Sequence, residues 1–571
     1  MERENLVSQK GLSRRSFLKG AGVAGAAVAA TSFAACTPEV EDPDWDLTGM
    51  EGSPWVLPTK WDIVTDVIVV GTGDAGGPAA IRAYDEGAEV LVIDKGDFYG
   101  GCSAIGGGNV QLACTHVQVA QGISDRKEWA FEDTMEHGLY RSNPEVLQAW
   151  IDESGPYAKW AETAAKMEWG QVTSQEPARV PRSHRSQGYR GQANGAGINM
   201  VMRYHDAAEA RGIPYLLENK MTKVYRKVNG PVVGVEVETP EGIKNYKARR
   251  AVILCTGGFK SNPQMIRSYH PLFDEHLIYS GWPDVNNTGD GHLAIMNIGG
   301  ACVDMSFIME FSGRLGSVQY VRWDRPHFDN PSTSTGIASS RIQNVIFVNN
   351  SGNRYLDEDE WEAGHTLPWT PWMVAYLLIE GRPRMEWWVT DNKGAVDIGW
   401  KNQEASFDNP DRTKTPCAEP GWVAKANTIA ELATKMGVPS AALGATVTRY
   451  NGLVAGGKDT DFGRSRLNDI TEPPYWAARW CRMSHDQCTG IRVNAKAQIP
   501  DTAYLFQPYS GSENHQPVPI SQEPVIPHLY AAGECTGGIG GAIRGSGKRG
   551  YYQVFGYIAG YWGAHETPLE D

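Results

Sequence analysis

The stretch from Asp66 to Gly101 constrains the fold more than any other part of the chain. It opens on the apolar run Val67–Val70, which reads as a buried parallel strand. Gly71-Thr72-Gly73-Asp74-Ala75-Gly76 follows at once, then an alanine-rich helical stretch, then a second apolar run, Val90–Ile93, that ends in Asp94. A G-x-G-x-x-G set between a strand and a helix is a dinucleotide-binding fingerprint. Gly71 permits the tight turn, Gly73 lets the backbone approach a pyrophosphate, and Gly76 lets helix and strand pack closely. The helix N-terminus then faces the negative charge. Asp94 stands about 20 residues on, where a carboxylate can take the ribose hydroxyls. The pattern predicts an α/β fold built on a Rossmann-like domain.

Related pieces recur along the chain. Gly100-Gly101-Cys102-Ser103 and Gly106-Gly107-Gly108-Asn109 follow the acid. Ala251–Leu254 is another apolar strand and runs into Thr256-Gly257-Gly258-Phe259. Leu529-Tyr530-Ala531-Ala532-Gly533-Glu534 and Gly537-Gly538 stand near the other end. Together they resemble the FAD-binding domain of the fumarate reductase, urocanate reductase and 3-ketosteroid dehydrogenase superfamily, over residues 62–303 and 485–563. The resemblance implies FAD rather than NAD. It implies as cofactor contacts Gly71, Gly73, Asp74, Ala75, Gly76, Asp94, Lys95, Gly101, Cys102, Ser103, Gly107, Gly108, Thr256, Gly257, Gly258 and Glu534, with a backbone group near Val224 at the adenine and Asp290 in a turn beside the flavin. It also implies that a helix starting near Lys548-Arg549-Gly550 aims its positive end at the flavin N1–C2=O edge. The histidine that holds flavin covalently in some relatives has no counterpart in Gly101–Asn109, so the FAD is expected to be non-covalent.

The net charge of −14 gives a nucleic-acid role no electrostatic support. Residues 1–36 read as an address. Ser13-Arg14-Arg15-Ser16-Phe17-Leu18-Lys19 is a twin-arginine signature, and the apolar segment Ala21–Ala35 after it is short for a transmembrane helix. Phe33-Ala34-Ala35-Cys36 resembles a lipoprotein cleavage box that would place a lipid on Cys36; simple cleavage near Ala35 is the alternative. Residues 37–61, with four prolines among acids, read as a tether. The nine cysteines include no C-x-x-C and no C-x-x-C-H, so a c-type haem is not expected. Cys481, Cys488 and Cys535 could meet as metal ligands or could be buried thiols; no metal is expected.

The flavin domain is expected in two parts, 62–303 and 485–571, with an inserted α+β capping domain at 304–484 where Trp and Pro crowd together. By resemblance this cap closes over the flavin and excludes water. Its connections near residues 304 and 484 would be hinges. Residues 179–185 read as a basic loop, and Lys244–Ala248 and Ala251–Leu254 as successive strands.

Gly537–Arg544 resembles the family segment that ends in a carboxylate-binding arginine, and Arg544 falls in that slot. Other positions depart from the fumarate reductases. Phe311-Ser312-Gly313 stands where they have His-Pro-Thr, Glu362 falls near their arginine proton donor, and His485-Asp486 stands near their second histidine. Fumarate itself is therefore not the expected substrate. His485 is the natural general acid by chemistry, Asp486 aligns at least as well, and Glu310 and Arg341 are brought near the substrate by the cap alignment. The steroid-dehydrogenase branch uses a tyrosine acid or base; Tyr320 and Tyr475 stand near suitable regions, but neither is matched to that branch's motif. The reading is an exported FAD-dependent reductase of an activated C=C bond in a small enoate-like acceptor. Its electrons would come from an external partner, a membrane-associated cytochrome or flavin protein. A steroid-type dehydrogenase and a pure electron carrier are the alternatives.

Overall fold

The parallel core expected from the fingerprint lies at the centre of the molecule. The computed structural model describes residues 53–174, 178–269, 278–279, 286–312, 344–359, 386–401, 423–480, 482–487, 489–502, 519–541 and 548–570, with backbone alone at 105, 278–279, 308–312, 386, 480 and 482–486. β1 (Ile63–Val70) and β2 (Val90–Ile93) run in parallel, Val67 opposite Val90 and Val70 opposite Ile93. Val67–Val70 and all of β2 are buried, as continuous apolar runs require. Between them α1 (Gly76–Asp85) buries every residue except Arg82, Tyr84 and Asp85. After the helix α2 (Gly197–Glu209), β3 (Tyr215–Leu216) extends the sheet beyond β2, and β4 (Gly242–Leu254) flanks β1 on its other side.

β4 is one strand of 13 residues where the sequence predicts two. The charged pair Arg249-Arg250 does not interrupt it, because both side chains find partners. Arg249 bonds Asp66 and Glu89, and Arg250 bonds the carbonyl of Ala564. The meander Lys220–Arg226 and Val232–Thr239 pairs antiparallel with its first half.

β5 (Ile308–Ser312) and β6 (Arg482–Gln487) pair antiparallel, Glu310 opposite Ser484, and Cys302–Val303 pairs likewise with Gly490–Arg492. The two connections around residues 304 and 484 therefore run side by side. Between them, four antiparallel strands (Ile346–Asn349, Glu386–Thr390, Val423–Ala426, Tyr475–Trp480) form a sheet with a core on each face. Phe347, Trp388, Trp400 and Trp476 fill one core; Val348, Trp387, Leu432, Leu443 and Tyr450 fill the other. These tryptophans are structural. Trp361, Trp369, Trp372, Glu362 and Tyr320 lie outside the described residues. β7 (Gln498–Pro500) and β8 (Val525–Ala531) return to the main sheet, giving the order β7-β8-β4-β1-β2-β3. α3 (Arg549–Ala564) packs on α1 and β4.

The expected basic loop around Arg182 leads into a strand, Ser183–Ser186, and its central arginine is buried. Arg182 grips Asp125 through two bonds of 2.8 Å and Asp133 through a third, also of 2.8 Å. Burial works against the charge of Asp125, but the bonds and charge of Arg182 outweigh it and hold its pKa below the usual carboxylate range. A lowered pKa contributes stability at neutral pH that is lost as pH falls through the depressed value. Arg182→Ala takes the cation from the buried Asp125 carboxylate, while Asp133 keeps Arg179 at 3.2 Å, and is expected to cost about 3–5 kcal/mol at pH 7. Thermal unfolding from pH 7 to pH 3 checks this: the gap between native and variant should close toward acid.

Candidate active site

The C-terminal ends of β1, β2, β4 and β8 open into one cavity of about 320 Å³, lined by Val70, Asp94, Cys255 and Gly533 among others. Crevices at the carboxyl ends of parallel strands are where such sheets bind ligands. Asp94 braces the fingerprint turn. Its Oδ2 accepts from the Thr72 amide at 2.9 Å and the Thr72 hydroxyl at 2.6 Å, and its Oδ1 from the Gly96 amide at 2.8 Å. The Thr72 hydroxyl accepts in turn from the Gly100 amide at 2.8 Å. The carboxylate thus holds both glycine turns in place. Asp74 gives its amide to Ser103 Oγ at 3.0 Å and pairs with Arg549 Nε at 2.7 Å. Among the described residues no side chain caps α1, whose N-cap residue, Ala75, lines the cavity.

The opposite wall centres on Glu534. Its Oε2 accepts from Asn287 Nδ2 at 2.8 Å and from the Gly258 amide at 3.4 Å, while Lys260 Nζ stands 3.8 Å from Oε1. Lys95 bonds Asp290 and Thr288, each at 2.6 Å. Of the residues proposed for the cofactor, Gly71, Gly73, Asp74, Ala75, Asp94, Lys95, Gly101, Cys102, Ser103, Gly107, Thr256, Gly257, Asp290, Glu534 and Arg549 line this cavity. Gly76, Gly108, Val224, Gly258 and Gly550 stand off its wall. Val224 is buried in the meander, and Asn219 and Met221 of the same segment reach the cavity instead. Gly550 serves packing, since a Cβ there would lie 1.6 Å from the carbonyl of Gln111. Thr72, Lys260 and Asn287 also line the wall; the first is the variable residue of G-x-G, Asn287 opens the turn that carries Asp290, and Lys260 carried no motif of its own.

On the substrate side, β5 and β6 set the backbone of Glu310 beside Ser484, one residue before His485-Asp486. The side chains of these candidates, and all of Arg341 and Arg544, lie outside the described atoms. Gln487 ends β6 and is buried. Its Oε1 accepts from the Phe259 amide at 2.6 Å, which fixes the amide orientation, and its Nε2 is buried without a hydrogen-bond partner among the described residues. Gln487 lines a second cavity of about 20 Å³ that shares Lys548 and Tyr552 with the first. His292 is fully buried with neither ring nitrogen bonded, and burial pushes its pKa down to about 4, so it is neutral at physiological pH. Cys481 and Cys488 are outside the described residues, and Cys535 bonds backbone carbonyls. Among the described residues one metal-type cluster occurs, His205, Asp206 and Glu209, but Tyr189 and Arg190 already engage Asp206.

A strand-end cavity with glycine turns, a carboxylate just past the second strand and a helix without a side-chain cap among the described residues defines a dinucleotide-binding α/β fold. The chain matches the family described as FAD binding domain over residues 66–549 and belongs to it. Residues 11–31 match the twin-arginine translocation signal, which directs export across the cytoplasmic membrane. The chain is 28% identical to a probable fumarate reductase of Shewanella frigidimarina, over 91% of this chain and 77% of that protein. It is 27% identical to a urocanate reductase of Eggerthella lenta, over 94% of this chain and 81% of that one. The open conformation of a flavocytochrome c3 fumarate reductase superposes with a TM-score of 0.69 at 27% identity, covering 88% of this chain and 78% of that chain. The protein is an FAD-dependent oxidoreductase acting on CH–CH bonds. The wall fits the cofactor: among the described residues Arg549 Nη1 is a buried polar atom without a hydrogen-bond partner, and Glu534 Oε1 has only Lys260 at 3.8 Å, around a cavity rimmed by glycines. No described helix is long and apolar enough to cross a membrane.

Proposed function

We propose that the protein is an exported reductase of an activated C=C bond in a small enoate-like acceptor other than fumarate. One observation carries the reading. Gln487 lines a small cavity that adjoins the cofactor cavity, and its amide nitrogen is a buried donor of fixed orientation without a hydrogen-bond partner among the described residues. A lone buried donor calls for an acceptor oxygen, and a cavity of this size holds about one oxygen atom. A carbonyl or carboxylate conjugated to the double bond supplies it. The names of the fumarate and urocanate reductases support the same chemistry.

FAD, held non-covalently and reduced by the external donor, would supply the two electrons as hydride. Arg544 anchors the carboxylate and Gln487 holds the activating oxygen, which polarises the double bond. A group on the β5–β6 pair, from Glu310, His485 and Asp486, delivers the proton, and Arg341 adds charge from the cap. The cap excludes water while this happens. Electrons come from a membrane-associated cytochrome or flavin protein, within reach if a lipid on Cys36 holds the enzyme at the membrane. The acceptor then serves anaerobic respiration.

The test is anaerobic oxidation of reduced viologen by the purified protein, with carboxylate-bearing enoates set beside neutral enones, 3-ketosteroids included. Turnover of the enoates is expected. Turnover of the neutral enones alone would move the assignment to a steroid-type dehydrogenase. Flavin that is reducible yet passes electrons to no small acceptor would indicate a carrier.

A further inference from the structure

The fingerprint turn carries a negative charge at the place where a diphosphate is expected. Asp74 is the fourth residue of the Gly71–Gly76 turn, two residues before α1 begins, and it is 4% exposed. The uncapped helix N-terminus beside it attracts anions, whereas a carboxylate in the same cradle repels them, and more strongly for being out of water. The surroundings of Asp74 are built to offset that charge. Arg549 Nε approaches its Oδ2 at 2.7 Å, and Gln553 Nε2 donates to its Oδ1 at 3.1 Å. Gln553 is oriented from behind, because its Oε1 accepts from the Tyr157 hydroxyl at 2.6 Å. Tyr157 is bonded in turn to the hydroxyl of Tyr204. Burial pushes both phenols well above their ordinary pKa, so they remain neutral donors. The relay therefore runs toward Asp74.

Arg549 is seated with equal care. It is 8% exposed, Nη2 donates to the carbonyl of Ser103, and Nη1 lies in a notch that exists because residue 197 is glycine. A Cβ at Gly197 would come within 2.3 Å of that nitrogen. Asp74 and Arg549 both line the cofactor cavity.

We propose that Arg549 is a neutralising latch: it cancels the charge of Asp74 inside the diphosphate cradle, and FAD binding is weakened when that carboxylate is left unpaired. Arg549 thus acts on the cofactor through Asp74, as a positioning residue, and carries no phosphate contact of its own that affinity depends on. The relay from Tyr204 holds Asp74 in register with the guanidinium.

A double-substitution cycle on FAD affinity tests this. The cofactor is stripped from the full-length mature protein, and the apo form is titrated with FAD while flavin fluorescence is followed. Circular dichroism of each apo form checks folding. Arg549→Ala is expected to weaken binding on the order of 100-fold, because it leaves an uncompensated buried carboxylate. Asp74→Ser should weaken it less than about tenfold, and the double variant should return to within about tenfold of the native protein. A double variant as weak as Arg549→Ala would make the arginine a direct ligand and overturn the proposal. So would an Asp74→Ser variant as weak as Arg549→Ala with no recovery in the double, which is the behaviour of a plain structural staple. Should Arg549→Ala not fold, Arg549→Lys decides. It keeps the charge, so it must stay within about tenfold of native, and a loss on the order of 100-fold there overturns the latch.

Discussion

Gly71→Ala is expected to yield a protein that purifies without its yellow cofactor. Two independent physical reasons combine at this residue. Its φ is +109°, a conformation that a side chain opposes. A Cβ there would also stand 2.1 Å from the carbonyl oxygen of Cys255, the residue that follows β4. Neither partner can yield by a rotamer change, because both are backbone. Relief requires β1 and β4 to part at the very end that forms the cofactor cavity, at a cost of about 4 kcal/mol or more. Gly87→Ala separates the two causes. Its φ of +89° is also unfavourable, but no atom lies within 4 Å of the added methyl. That variant should lose only about 1–2 kcal/mol of stability and keep its flavin. The ratio of absorbance at 450 and 280 nm, read beside the thermal midpoint, gives both answers. Flavin retained by Gly71→Ala would show that the strand ends tolerate separation and that cofactor binding does not depend on their close approach.

The contrast between these two glycines also shows why part of the molecule was legible in the sequence. A strand, a glycine turn and a helix obey local rules, so β1, α1, β2 and the acid at Asp94 could be read directly. Helices with clear ends were legible for the same reason. The helix Ile429–Met436 starts where the Thr428 hydroxyl caps the Glu431 amide, and α3 begins and ends as its apolar pattern predicts. What local rules cannot give is the pairing of distant charges. Arg182 reads as one cation in a basic loop until the fold brings Asp125 and Asp133 to it. Arg249-Arg250 reads as a break until Asp66, Glu89 and the carbonyl of Ala564 come within reach. The same holds at the site. Thr72 and Asn287 act through hydrogen bonds to Asp94 and Glu534, residues 22 and 247 positions away. Gln487 gains its meaning only from the Phe259 amide, 228 positions away. The tryptophan content was visible as composition, but its placement on the two faces of the cap sheet was not.

The second large effect is expected at Arg544. Gly541 and Lys548, which stand on either side of Arg544 in the sequence, both line the small cavity. The chain up to Gly541 is pinned: the Asn143 amide bonds the carbonyl of Gly538 at 2.7 Å, and a Cβ at Gly541 would meet the carbonyl of Gly138 at 2.5 Å. We propose that Arg544, between Gly541 and Lys548 in the sequence, holds one end of the substrate. An arginine in it can grip a carboxylate with two parallel bonds, which a lysine cannot reproduce. Hydrogen bonds to a charged group contribute about 1.5–3 kcal/mol each. Arg544→Lys should therefore lower kcat/KM for carboxylate-bearing enoates by about 100-fold, each 1.4 kcal/mol being a factor of ten. Neutral enones make no such bonds, so their residual turnover should change less than about fivefold, and FAD content should be unchanged. Steady-state rates on both substrate classes, with flavin content measured on the same samples, make the comparison. An equal loss on the two classes would assign Arg544 to the structure of the loop. No loss on either would mean that the carboxylate is held elsewhere, with Lys548 the next residue to replace.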